Sequence, residues 1–240
     1  FNEINIIDRR KNMFVEERIN YLEEYLKKLI VDKGMFPGTT FALITEKEKY
    51  LGFMGEKQRY PNSEPMTQGT IFDLASLTKV VATTSAIMIL LENGVVKMNT
   101  RIKDILPKFK YDYMTIEHIM NQTSGYDPEP IYKNCRNKSE LIEVLYECSI
   151  DSNWFEKQVV YSDIGFIFLG IVIDQLTGDF EGFLKERLFK PLGMKNTLFN
   201  PPQDLVSSIA ATEYCTSRNK IVRGEVHDEK AYILDGVACQ

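Results

Sequence analysis

Histidine is nearly absent from these 240 residues, with only His118 and His227, and tryptophan is represented by Trp154 alone. The four cysteines (Cys135, Cys148, Cys215 and Cys239) form no C-x-x-C pair and have no histidine at ligand spacing. This argues against a zinc site and for scattered free thiols. That pattern favours a cytoplasmic chain over an exported one, although a start on Phe1 leaves upstream processing open. A basic excess is also missing: 29 Lys and Arg stand against 34 Asp and Glu, a net charge of −5. Nothing is left over to neutralise phosphates, so nucleic acid is not expected as a partner. The longest apolar stretches, residues 86–91 and 164–173, fall short of the ~20 residues of a membrane helix, so no transmembrane segment is expected. No G-x-S-x-G elbow occurs, and the two histidines belong to no triad pattern.

What remains is an ordinary globular composition, 44% hydrophobic and 26% charged. Val15, Ile19, Leu22, Leu26 and Leu29 recur at helical spacing, with Gly34 as a terminator. Two β-prone runs, 39–45 and 49–55, flank Glu46-Lys47-Glu48-Lys49 and predict a hairpin. "FDLASLTKVVATTSAIMILLENG" then predicts a long buried helix ending near Asn93-Gly94. Helical signals dominate to about residue 200. Thr115 caps one short helix, Ser139 a second over 140–148, and an apolar helix over 163–176 stops at Thr177-Gly178. Pro191 ends another helix, and residues 207–240 read as strand and loop. The expected class is α+β: a hairpin, a large helical block, then strands, rather than alternating βαβ units.

Ser76 precedes Lys79 by three residues. A serine hydroxyl is a weak nucleophile that needs a base close by, and residues three apart share one helix face. Burial at the root of an apolar helix disfavours an ammonium, which would suit Lys79 to that task. A serine N–H at a helix start can also face a developing oxyanion. Alone, the tetrapeptide fits a capping serine followed by a surface lysine at least as well. Tyr161 and Asp163, in "VVYSDIGFIFLG", stand at the mouth of another apolar helix. A phenol beside a lysine can relay protons, while Ser162 or Asp163 could equally be a helix cap.

Taken in order, "FDLASLTK", "TIEHIMNQTSGY", "VVYSDIGFIFLG", "FKPLGMKNTLF" and "GEVHD" resemble the serine β-lactamase and penicillin-binding-protein-like superfamily. The resemblance is to its class C-like branch of β-lactamases, D-aminopeptidases, DD-peptidases and esterases, from about residue 37 onward. It implies an antiparallel sheet flanked by helices with a large helical subdomain. The whole chain would then be one domain, with residues 1–75, 76–200 and 201–240 as its parts. It implies Ser76 as the acylated serine, Lys79 as its base and Tyr161 as the tyrosine of a Y-x-N motif. Asp163, Gln122 and Ser124 would line the substrate cleft, with no metal or organic cofactor. The substrate would be a β-lactam, a D-amino-acid peptide or a small ester; the rival is a non-catalytic penicillin- or cell-wall-peptide-binding protein. His118 and His227 read mainly as structural, and Trp154 as packing or a substrate platform.

Two departures from the pattern stand out. Asp163 occupies the place of an asparagine, adding a negative charge that would keep Lys79 protonated. The superfamily's third motif, Lys-Thr-Gly or His-x-Gly, occurs nowhere in the chain. The resemblance therefore implies a fragment or natural truncation without its C-terminal strands and half of its oxyanion hole. The uncompleted sheet would favour self-association.

Overall fold

The structure is a computed structural model that describes residues 13–127, 132 and 134–236, apart from the side chains of 13–15 and 31. Cys239 and the Val15 side chain lie outside that set.

Helix α1 (Met13–Lys27) continues through a wider turn, Lys28–Asp32, and ends at Lys33, before Gly34 at φ +58°. Its inward stripe is the expected one, with Ile19 buried and Leu22, Leu26 and Leu29 half-buried. Strands β1 (Gly38–Ile44) and β2 (Lys49–Gln58) pair antiparallel from Ile44↔Lys49 to Gly38↔Gly55. β2 runs three residues beyond the expected hairpin and pairs with β3 (Glu64–Pro65). In the sheet order β1-β2-β3, β1 forms one edge, and Ile44 and Phe53 are exposed.

The segment expected as one buried helix is more structured than that. A tight turn, Ala75–Leu77, leads into a wide turn, Lys79–Thr84, and then into α2 (Ser85–Glu92). Only one side is covered: Ala82, Ala86, Ile87 and Leu90 are buried, while Leu77, Val80 and Met88 are each at least 60% exposed. The expectation of full burial is corrected, because apolar content does not say how many neighbours a helix has.

Helices α3 (Ile102–Ile105) and α4 (Ile116–Met120) follow. The Thr115 cap on α4 is reciprocal: Thr115 Oγ1 accepts from the His118 N–H, and His118 Nδ1 accepts from the Thr115 N–H. α5 (Lys138–Glu147) is capped by Asn137, whose side chain accepts from Glu140 N–H, not by Ser139. Both residue types cap well, and the helix begins at the earlier one. α6 (Asp163–Thr177) is buried along most of its length and ends on left-handed Gly178. A Cβ on its Gly165 would stand 2.7 Å from Ile119 Cγ2, so glycine lets α6 press against α4.

α7 (Phe180–Leu184) continues as the turn Lys185–Phe189 and stops before Pro191. The tail holds a two-stranded ribbon, β4 (Glu213–Cys215) and β5 (Lys220–Val222), and then α8 (Glu229–Ile233). That last helix was not expected. Asp228 starts it by accepting from Ala231 N–H, and Ala231 and Leu234 anchor it in the core.

The core gathers around α6, where Phe109 meets Phe168 edge-on at 4.8 Å. With the turns before it, the run Ala75–Glu92 spans 18 residues at mean hydropathy 1.4, long and apolar enough on those counts to cross a membrane. Its buried side packs against α6 as a core helix does. Among the described residues, Cys135, Cys148 and Cys215 are free thiols.

Candidate active site

Ser76 sits on a turn that the chain holds in a costly shape. Ala75, just before it, has φ +46°, a left-handed conformation that a residue with a Cβ rarely adopts. Asp73 latches this turn. Its Oδ1 accepts from the Ala75 N–H at 2.9 Å, and its Oδ2 accepts from the His227 N–H at 3.0 Å. His227 Nδ1 lies 2.9 Å from the same Oδ2. Burial alone would raise the Asp73 carboxyl, but the bonds from His227 and Ala75 outweigh it and hold the group below its ordinary value. The His227 loop expected to brace structure thus braces the turn that carries Ser76. A parallel bridge pairs Ile71 with Ile209, through Ile71 N–H to Ser208 O and Ala210 N–H to Ile71 O.

Ser76 is exposed and Lys79 is buried one helical turn away. Lys79 Nζ donates to Ser76 Oγ at 3.1 Å and to Asp163 Oδ1 at 2.7 Å. It also lies 4.7 Å from the centroid of the Tyr161 ring and 5.8 Å from that of Phe166. Lys79 therefore meets the face of Tyr161, and that side chain is 54% exposed. Asp163 is the first residue of α6, but its carboxylate spans two lysines instead of capping the helix. Nor does Ser162 cap it: its hydroxyl donates to Asp127 O, which draws the Tyr161 segment towards the 122–127 loop.

Gln122 meets this group through the backbone on either side of Tyr161. Gln122, at φ +58°, accepts from Ser162 N–H through Oε1 and from Val160 N–H through its carbonyl. It ties down the strand-like approach to Tyr161. Ser124 is 1% exposed. Neither lines the cavity of about 440 Å³ beside Ser76, whose polar lining includes Asp163, Asn196, Asn200, Arg223 and His227. Trp154 is half-buried and also lies outside that lining. His118 serves the α4 cap, and its Nε2 lies 2.8 Å from Glu156.

Lys230, like Asp73, had no role in the sequence reading. Lys230, on α8, brings Nζ to 3.2 Å from Asp163 Oδ2 and 3.3 Å from Asp228 Oδ2. The available signal was an unexplained charge beside "GEVHD", and only the fold shows where it points. No group of three or more His, Cys, Asp or Glu suited to a metal ion occurs among the described residues.

The arrangement offers a serine hydroxyl on a latched turn, a buried amine within hydrogen-bond reach of it and a cavity at its side. Those are the parts of a nucleophile and its base. Known proteins resemble this chain over most of its length. An N-acetylmuramyl-L-alanine amidase of Bacillus subtilis is 29% identical over 98% of this chain and 62% of its own length. A putative D-alanyl-D-alanine carboxypeptidase of Escherichia coli K12 is 27% identical over 94% of this chain and 60% of its own. The chain thus spans about three fifths of the curated relatives it matches. A crystal structure of a class C beta lactamase superposes with a TM-score of 0.72 at 21% identity, over 86% of this chain and 57% of the other. The fold is therefore that of the β-lactamases and penicillin-binding proteins, as the ordered motifs implied. The profile of the family described as Beta-lactamase matches residues 22–236, and the chain belongs to that family.

Proposed function

We propose that this chain carries the nucleophilic half of a serine hydrolase that works through an acyl-enzyme. The observation that carries the reading is the 3.1 Å approach of buried Lys79 Nζ to Ser76 Oγ on the latched turn. Nζ donates along that line as an ammonium; as a neutral amine it would accept the hydroxyl proton instead. Ser76 Oγ then bonds to the substrate carbonyl carbon, and the bond from that carbon to the leaving amine or alkoxide breaks. Tyr161, at the solvent side of Lys79, passes the proton to the leaving group, and water hydrolyses the acyl ester. The Ser76 N–H, in the first turn of a helix, has no intrahelical acceptor and is suited to receive the oxyanion. The substrate class is a β-lactam, a D-amino-acid peptide or a small ester, which a cavity of about 440 Å³ can admit.

A fluorophosphonate or β-lactam probe tests this reading. The expected result is one covalent adduct, placed on Ser76 by peptide mass spectrometry and lost in Ser76→Ala. Labelling elsewhere with Ser76 untouched would overturn it. The 2.7 Å ion pair of Lys79 with Asp163 favours one rival, a binding protein that holds a penicillin or cell-wall peptide without turning it over. A folded chain that binds a β-lactam and either leaves Ser76 unmodified or never hydrolyses the acyl ester would identify that case.

A further inference from the structure

Lys79 is ion-paired with Asp163 at 2.7 Å, and a lysine that takes the proton from Ser76 must itself be neutral. A hydrolase built on this pair needs something to offset Asp163. The structure supplies it from α8. Lys230 approaches the second oxygen of the same carboxylate at 3.2 Å, and its side chain is 12% exposed. Two lysines thus share one largely buried carboxylate, so one of them can give up its proton without leaving Asp163 unpaired.

The surroundings separate the two lysines. Lys230 faces two carboxylates, Asp163 and Asp228, and lies 5.1 Å from the centroid of the Tyr132 ring. Burial pulls Lys230 down, but Asp228 and then Asp163 outweigh it, and the group is held above its ordinary value. Asp228 is the more open carboxylate, 32% exposed against 16% for Asp163, and it also caps α8 at the Ala231 N–H. Lys79 meets Asp163, the Ser76 hydroxyl and the aromatic faces of Tyr161 and Phe166. Also on this cavity, His227 and Asp73 are engaged with each other on the Ser76 turn.

We propose that Lys230 is a positioning residue for the serine chemistry: it holds Asp163 as an already paired anion, so that Lys79 can act as an uncharged base. The inference rests on the hydrolase reading and adds to it a charge partner on a distant helix. Replacing Lys230 leaves Asp163 to pair with Lys79 alone, which ties the proton more firmly to Lys79. Replacing Asp163 with an amide has the opposite effect.

Two readouts on the folded chain test this, one of them independent of catalysis. The titration midpoint of Lys79 is followed by the ¹³Cε resonance, and the acid limb of Ser76 acylation by probe labelling against pH. In Lys230→Gln both should move to higher pH by about one unit, the lower end of what a nearby opposite charge does. Lys230→Arg should hold both near wild type. Asp163→Asn should move them down, and the double variant Asp163→Asn/Lys230→Gln should fall between the singles. A folded Lys230→Gln whose Lys79 midpoint stays within about 0.2 unit of wild type would overturn the proposal. If Lys230→Gln does not fold, Asp163→Asn decides, and a midpoint that fails to fall refutes it. A wild type that never acylates would sink the hydrolase reading, while the Lys79 resonance still reports whether Lys230 governs its charge.

Discussion

Removing the Asp73 carboxylate should do more damage than its place outside the serine–lysine pair suggests. Asp73→Ala takes away the acceptor of the Ala75 N–H, the His227 N–H and the His227 ring, three contacts of 2.9–3.0 Å. A hydrogen bond to a charged group contributes about 1.5–3 kcal/mol. The three share one carboxylate and cannot simply be added, and water can reach the His227 side, where that side chain is 35% exposed. We therefore expect a loss of about 3 kcal/mol, near the value of two such bonds. The left-handed Ala75 should relax as well, since such strain persists only where the surroundings enforce it. Ser76 Oγ would then leave Lys79, and labelling should fall at least about a hundredfold, as misplacement by ~1 Å does. Urea unfolding at constant m-value measures the first effect and the probe rate the second. The stability gap should also depend on pH with a definite sign. Because the folded Asp73 carboxyl is depressed, its contribution is complete above the unfolded value near 3.9. It disappears as pH falls through the lower folded value, so wild type and variant converge in acid. An Asp73→Ala protein within about 0.5 kcal/mol of wild type that labels Ser76 at the normal rate would refute the latch.

Lys79→Arg should keep the positive charge yet lose Ser76 labelling, because a guanidinium stays protonated; a variant that labels at wild-type rate would show that Lys79 is no base. Tyr161→Phe keeps the ring over Lys79 and removes the hydroxyl, so stability should hold while turnover of a chromogenic ester drops about a hundredfold, the lower end of general acid–base contributions. The apolar sheet face and the β1 edge should promote association between copies, and Phe53→Lys should shift sedimentation towards monomer.

Local patterns carried much of the site. Spacing put Ser76 and Lys79 within reach of each other, because three residues span almost one helical turn, and the family resemblance favoured a pair over a cap and a surface charge. Helix α6, the Thr115 cap and the β1–β2 hairpin followed from periodicity and capping residues. What stayed hidden depends on contacts between distant segments. Asp73 and His227 are 154 positions apart, and no local rule joins them. Lys230 belongs to a short helix set by one capping aspartate, too brief to show a period. Asp163 looked like a cap candidate because its own helix begins there; the family resemblance set its charge beside Lys79, but only the fold brings Lys230 to it. The half-exposed face of α2 could not be foreseen for the same reason, since hydropathy counts residues and not neighbours.

The Asp73–His227 latch also bears on when the site can exist. Chains emerge N-terminus first, and closing a long loop costs more entropy than closing a short one. α2 and α6 can pack against each other once residue 177 has emerged, well before His227 does. Until the last part of the chain arrives, Ser76 rides on an unfastened turn and Asp163 has only Lys79 to pair with. On the proposed reading, the Ser76 turn is therefore among the last parts of the chain to reach its working shape.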